Sequence, residues 1–506
     1  MSYTFNLIDV PWIPCVTGTG EQIEVGLRDL LINAHNLKAI SCETPLMTAA
    51  IMPMTLALLH RVFGPHDETV WERLWSAGRF PAEPLEAYFA QWYDRFELFH
   101  PERPFYQARD NRVQPKSIIH LVHSIGNTGT LFTHVSDDNP VRLSPAEAAR
   151  SLITAQTFRT AGLSGLDEKF TDSPFTRGVL FWAHGRSVFQ TLVMNLIPYP
   201  SSLIPIRTVA SDAPMWEQED PFDLREYPRG YLDYLTWPSN RICLIPTEDQ
   251  SGIYVEMMTI APGLTLAADV MSPQKRYTRK TDKGGNVTWT FLYFNTDKAL
   301  WRDYHNLVTL DTDGVKPPAI IDWLTQLSLD GMLDDAQAAQ LMAIGMLADQ
   351  AKPIFYRQEH MPLPTAVLRN IYDNRNIAEA VSQAEQVAEK VRFSLNVLAD
   401  QVLMRGGERA PDSDDRKKLV QQWDVLSLYW AQLEPMFWSF VGALSEGRQD
   451  ALDIWRNILT DAAHDALAAA VHMSGTHAAA LRGQVDAQRR LKYGLKQIFD
   501  NKEPSK

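Results

Sequence analysis

The chain has 506 residues, with 48 Lys or Arg against 61 Asp or Glu, a formal net charge of −13. At 45% hydrophobic and 22% charged residues it has an ordinary globular balance, which excludes a disordered or collagen-like chain. The length allows two to four domains of roughly 100–200 residues each, and a core of that size needs no disulfide or metal staple.

Cys15, Cys42 and Cys243 stand far apart with no CxxC spacing, so neither a zinc ribbon nor a disulfide framework is expected. A reducing cytoplasm fits. The opening MSYTFNLIDVPWIP has no basic segment followed by an apolar one, so no signal peptide is expected. The most apolar stretch, Pro45–Leu59, is shorter than the roughly 20 residues of a membrane span, and Pro53 interrupts it. It reads as a buried core helix, and no membrane partner is expected.

Up to about residue 365 the chain is rich in Pro, Gly and aromatics. Phe181–Ile197 reads as an apolar helical segment. Arg241–Ile245 (RICLI), Gly252–Met257 (GIYVEM) and Val287–Phe294 (VTWTFLYF) read as strands. This predicts a large mixed α+β N-terminal domain, 1–365, of undetermined topology.

From about 376 the texture changes. Val381, Ala384, Ala388, Val391, Leu395, Leu398 and Val402 step by three and four. Leu419, Trp423, Leu426, Trp430, Leu433, Phe437, Phe440 and Leu444 do the same, as do Leu452, Trp455, Leu459, Ala462, Ala466, Ala469 and Met473. Leu481, Val485, Gln488, Leu491, Leu495 and Ile498 form a looser fourth copy. Such steps put side chains on one helix face. Gly406-Gly407 with Pro411 and Asp412, then Gly447, then Gly475 with Thr476 as N-cap, punctuate the series. The prediction for 366–506 is a C-terminal antiparallel four-helix bundle, its second helix kinked at Pro435.

Catalytic signatures are missing. No GxxxxGK[ST], strand-linked GxGxxG, HExxH or GxSxG occurs. His120 and His123, like His472 and His477, lack Cys or carboxylate company at a metal-ligand spacing. Asp137-Asp138 and Asp414-Asp415 sit in polar sequence that suits solvated loops. No metal, cofactor or catalytic residue is expected.

Three segments suit contact with a phosphate backbone. In Gln156–Gly165 (QTFRTAGLSG), Gly162 and Gly165 flank Leu163 and Ser164, and glycines let a backbone approach a ligand surface; a helix-ending turn explains the same residues. In Lys275–Lys283 (KRYTRKTDK), five basic residues, Lys275, Arg276, Arg279, Lys280 and Lys283, precede Gly284-Gly285. A mobile cationic loop and a bare hairpin tip both fit. Ala348–Lys352 (ADQAK), between an apolar run and Pro353, reads as a small projecting turn.

These segments, in this order, resemble the CasA family, the large subunits of the type I-E CRISPR surveillance complex Cascade. Phe5–Pro14 (FNLIDVPWIP) resembles the family's N-terminal signature, and Glu97–Gln107 (ELFHPERPFYQ) its F-x-L-x-H-x-x-x-P-F-x-Q stretch. Gly230–Ile242 (GYLDYLTWPSNRI) and Ala299–Asp303 (ALWRD) match two further stretches, so the resemblance covers nearly the whole chain.

The resemblance implies a non-catalytic subunit at the 5′ handle of a guide RNA. Such a subunit inspects double-stranded DNA for a protospacer-adjacent motif (PAM), starts strand separation and R-loop formation, and helps recruit a helicase-nuclease. Its other partners would be the backbone, 5′-handle-binding and small Cascade subunits. The family's minor-groove glycine loop falls on Gly162, Leu163, Ser164 and Gly165. Ser164 replaces the middle glycine, so its hydroxyl is expected to clash with or bond to a base edge. The glutamine wedge that splits the duplex falls on Asp349, Gln350 and Ala351. A guide-contacting pair falls on Phe132 and His134, the latter replacing an asparagine. The PAM-reading lysine has no counterpart; a non-lysine near Glu256 takes its place, and Lys275–Lys283 is the expected substitute. An interaction scaffold without DNA contact, or an enzyme with dispersed catalytic residues, also fits the residues alone.

Overall fold

The computed structural model describes residues 3–122, 141–308, 314–333, 339–349, 352–404 and 411–500. They form two compact units: residues 1–298 with 310–363, and residues 299–309 with 364–506.

Among the described residues, the first unit mixes helices with four three-stranded antiparallel sheets. β1 (Ile13–Thr17) lies between β2 (Gln22–Val25) and β3 (Leu37–Ile40). β4 (Lys116–Ser117) and β6 (Asn240–Asp249) flank β7 (Gly252–Pro262). β8 (Tyr277–Thr281) lies between β9 (Val287–Phe291) and β10 (Val315–Lys316). β5 (Val179–His184) and β12 (Lys352–Leu363) flank β11 (Ala339–Asp349). The RICLI, GIYVEM and VTWTF runs are strands, because β-branched and aromatic residues fit a pleated surface.

Phe181–Ile197 is corrected. Phe181–His184 belongs to β5, and only Val188–Met194 is helical, begun by Ser187, whose side chain accepts from the Gln190 N–H. A continuous apolar run cannot by itself tell a buried strand from a buried helix. Pro45–Val62 is one helix, long and apolar enough to cross a membrane, yet mostly buried within the unit. Pro53 sits inside it, and Thr44 caps its start.

The second unit is helical: Ile371–Met404, Ser413–Trp423, Val425–Ser445, Ala451–Met473 and Ala478–Phe499. The predicted second helix is divided at Asp424, whose φ of 47° is left-handed. Pro435 is an exposed residue inside the continuous helix Val425–Ser445. Trp455 donates to the Ala380 carbonyl at 3.0 Å and Tyr429 to that of Ala384 at 2.9 Å, so both are locked onto Ile371–Met404.

The fourth copy is also corrected. Leu481 and Val485 are about half exposed, and the buried face of Ala478–Phe499 is Ala479, Ala480, Gly483, Ala487, Leu491, Gly494 and Leu495. A Cβ on Gly483 would sit 2.8 Å from the Gln401 Cβ, and one on Gly494 2.9 Å from the Lys390 side chain. Numbering rises on one helix as it falls on the other, so the pair is antiparallel and packed through small residues. His477, not Thr476, caps this helix, accepting from Ala480 N–H at 3.1 Å.

Candidate nucleic-acid interface

The helix Pro145–Phe158 sets the site. Ser144 and Glu147 form a reciprocal capping box at its start. Arg150 donates to the Trp12 carbonyl at 2.6 Å and pairs with Glu24 and Glu43. At the far end Gln156 bonds the Tyr106 carbonyl at 3.1 Å and exchanges two bonds with the Asn240 backbone, at 2.7 and 3.0 Å. The chain therefore leaves the helix at Arg159 from a fixed point.

Beyond it, Gly162 and Phe170 exchange two backbone hydrogen bonds, at 3.1 and 3.0 Å, and close a loop. Its crest holds Leu163, 85% exposed, and Gly165, whose φ of +83° favours glycine. Ser164 is turned inward. Its Oγ accepts from Leu166 N–H at 2.9 Å and donates to the Glu168 carbonyl. The expectation that this hydroxyl meets a base edge is thus corrected: it is committed within the loop. Gly162 is likewise committed through both backbone groups, so the exposed crest is Leu163 and Gly165.

The loop is braced from outside. Arg112 joins Glu168 at 2.9 Å to Asp110 at 2.7 Å, and it holds the Asp110 carboxyl down at a pKa of about 2. Asp172 accepts from Ala161 N–H at 2.8 Å and from Arg177 at 2.9 Å. The Arg159 guanidinium lies 4.5 Å from the Phe170 ring centre, and burial lowers its pKa to about 10.

Lys275 and Arg276 overturn part of the cationic-loop expectation. Both are buried. The Lys275 ammonium donates to the Pro174 carbonyl at 3.0 Å and lies 4.8 Å from the Phe291 ring centre. Burial pushes its pKa down to about 8, against a smaller opposing pull from Asp172. These two residues anchor the base of the segment. Arg279, Lys280 and Lys283 are exposed, on β8 and the turn that follows. Of the two readings of this segment, the hairpin is the one found, because Tyr277–Thr281 has β-forming partners in Val287–Phe291.

The fold brings the residues after the glycine loop and the base of the hairpin together at β5, an edge strand of the β12–β11–β5 sheet. Val179, which follows the glycine loop, pairs with Gly345 on β11 and donates to the Leu292 carbonyl at 2.8 Å. A Cβ on Gly345 would meet the Gly178 carbonyl oxygen at 2.6 Å, and one on Gly178 the Phe291 ring at 2.5 Å. Loop end, hairpin base and β11 are therefore pressed together. From Gly345, β11 runs on to Asp349, opposite Lys352 on β12, roughly 13 Å at strand spacing. Gln350 and Ala351, between those strand ends, lie outside the described residues, as do Phe132 and His134. Of Asp349, only the backbone pairing is described.

Glu256 is ion-paired rather than free. Arg142 contacts it at 2.5 Å and Asp249 at 2.8 Å, and stacks 4.4 Å from the Tyr254 ring centre. No spacing in the sequence links 142 to 249–256, so this cluster, like the Arg112 brace, was beyond sequence reasoning. Among the described residues, no group of three or more His, Cys, Asp or Glu side chains is placed to hold a metal.

The quoted sequence stretches wire the core. Gln107 donates to the Leu98 carbonyl at 2.7 Å and accepts from Leu244 N–H at 2.8 Å. Asp233, fully buried, pairs with Arg225 at 2.7 Å.

A mixed α+β unit, a helical unit, a braced loop and a basic hairpin define a non-repetitive two-part protein. Residues 6–466 match the profile of the family described as CRISPR-associated protein Cse1, and the chain belongs to that family. It is 32% identical over 503 residues to the CRISPR-associated protein CasA/Cse1 of Thermus thermophilus, covering 94% of each chain. A crystal structure of CasA from Thermus thermophilus superposes with a TM-score of 0.80 at 28% identity, over 98% of this chain and 100% of that one. A chain of a CRISPR RNA-guided surveillance complex shares the fold, with a TM-score of 0.72 at 22% identity, over 98% of this chain and 99% of that one.

Proposed function

We propose that this chain is the non-catalytic large subunit of a type I-E Cascade ribonucleoprotein, and that it inspects duplex DNA for a PAM and begins opening it. The exposed but internally braced crest at Leu163–Gly165 carries the reading. Base pairing with the guide supplies sequence information, so the protein reads only a short motif. The minor groove's degenerate donor–acceptor pattern suits a reader that tolerates several motifs. A crest whose polar groups are bonded inward enters that groove by shape, without a long side chain.

Arg279, Lys280 and Lys283 would hold the phosphate backbone. Asp349, Gln350 and Ala351, at the end of the β11–β12 ladder, would press between base pairs. Unstacking costs a few kcal/mol per step, offset by heteroduplex formation and phosphate contacts, with no nucleotide hydrolysis. Phe132 and His134 would meet the guide's 5′ handle and neighbouring subunits, and the helical unit would offer a docking surface from which the helicase-nuclease is recruited.

The test is target binding by the assembled guide-RNA complex across a panel of PAM duplexes. Leu163→Asp, on an exposed side chain, and Gln350→Ala should each weaken PAM-dependent binding at least tenfold. Binding by both variants that is unchanged across the panel would refute the reading.

A further inference from the structure

A cavity of about 260 Å³ within the first unit is lined from two of its sheets. The β5–β11–β12 sheet contributes His184, Met342, Gln358 and His360. Strands β1 and β3 and the helices Pro45–Val62 and Val188–Met194 supply the rest. The register accounts for the first wall. His184 stands opposite Gln340, and His360 opposite Met342, two residues further along β11. Alternate residues of a strand share a face. The Gln358 amide nitrogen lies 2.7 Å from His360 Nε2, a donor meeting a ring lone pair, so that nitrogen is spent. Among the described residues the His184 ring makes no hydrogen bond; it packs edge-on against His360, with ring centres 4.9 Å apart.

The β3 strand brings a positive charge to this wall. Val16 pairs with Ala39 and Thr17 with Leu37, so Lys38 is an extra residue in the ladder. A bulge of this kind re-aims side chains. Lys38, Ala39 and Ile40 accordingly all line the cavity, where a regular strand would present every second residue. Lys38 is exposed, which puts it at the mouth. Among the described residues no carboxylate pairs with it or lines the cavity. Deeper in, the lining is aliphatic, with Met52, Val188 and Leu192 all buried. Thr191 Oγ accepts from Gly185 N–H at 3.0 Å, which leaves its own O–H to donate.

A cation without a counter-charge, unspent donors and an aliphatic interior together match a small amphipathic anion. A metal cation would meet the reverse of what it needs. The anionic head would stay at the mouth beside Lys38, where water still reaches, so no charge is buried unpaired. At about 30 Å³ for each water-sized group, the cavity holds roughly nine non-hydrogen atoms. We propose that this cavity binds a short-chain carboxylate of about six carbons, its head on Lys38 and its chain against Met52, Val188 and Leu192, which would join β3 to β12.

Calorimetric titration of the full-length chain with sodium hexanoate tests this. One equivalent should bind saturably at sub-millimolar affinity, within what a ligand of that size reaches. From butanoate to hexanoate each methylene should tighten binding about fourfold, the equivalent of ~0.8 kcal/mol per buried methylene. Neutral 1-hexanol and cationic hexylammonium should bind at least fivefold more weakly than hexanoate. Lys38→Met, at an exposed position, should weaken hexanoate at least fivefold and leave hexanol and the melting temperature unchanged. Ile40→Phe, which fills the mouth, should block both ligands. Equal affinity for hexanol or hexylammonium, hexanoate binding unchanged in either variant, or no saturable binding overturns the proposal.

Discussion

Lys275 concentrates several constraints in one side chain. It is bonded to the Pro174 carbonyl, with a pKa brought down by burial to about 8 from 10.5. Below pH 8 both folded and unfolded chains hold the proton, and burying the charge opposes folding. Between pH 8 and 10.5 the folded chain has released the proton while the unfolded chain keeps it, so stability rises with pH. The stability of the native chain relative to Lys275→Met should therefore rise by up to about 1.4 kcal/mol per pH unit across that window. Denaturant titrations spanning that window measure it, and a flat difference would contradict it. At the same scale, Ser164 shows the limit of reading residues one by one. Its place in a glycine-flanked turn is legible in the sequence, whereas the inward direction of its hydroxyl depends on the Leu166 N–H and the Glu168 carbonyl, which only the closed loop supplies.

Among the elements, the β8–β9 hairpin separates anchoring cations from presenting ones. Lys275 and Arg276 are buried at its base, and Arg279, Lys280 and Lys283 are exposed further along. Reversing the three exposed charges to Glu should leave the melting temperature nearly unchanged, because exposed surface substitutions usually shift stability by under about 0.5 kcal/mol. The same change should weaken target-duplex binding by the assembled complex and flatten its dependence on salt, since each lost phosphate contact lowers the salt slope by about one. A binding assay from about 50 to 300 mM salt distinguishes this from a bare hairpin tip, for which neither quantity moves. Strand type was legible in Val287–Phe291 from its β-branched and aromatic residues. Which basic residues faced inward was not, because Lys275 and Arg276 precede the ladder and Lys275 is held by Phe291 and the Pro174 carbonyl, far away in sequence. Asp424 makes the same point in the helical unit. The three-four pattern runs through it without a mark, and the break appears only as a left-handed backbone angle.

Across the whole molecule, the decisive feature is a short insertion. Ala299–Thr309 leaves the first unit and joins the helical one, 55 residues before the chain returns there at Pro364. Trp301 is fully buried, its ring centre 4.7 Å from Phe437 and 5.9 Å from Trp430. Arg302 pairs with Glu385 at 2.6 Å and lies 3.7 Å from the Trp430 ring centre. Trp301→Ala should cost about 3–5 kcal/mol, as large buried aromatics do, and the loss should fall on the helical unit. Hydrogen exchange should then quicken in Val425–Ser445, while β6 and β7 keep their protection. Uniform loosening of both units would show that Trp301 is not confined to the core assigned to it. The sequence by itself determined the α+β class, the helical texture after residue 376 and the family, because hydrophobic periodicity and ordered local motifs are properties of the chain alone. Tertiary contacts alone place ALWRD with the helices, turn Ser164 inward, and bring the base of the basic hairpin against β5 beside β11. Those outcomes rest on contacts between residues far apart in sequence, and local spacing carries no record of them.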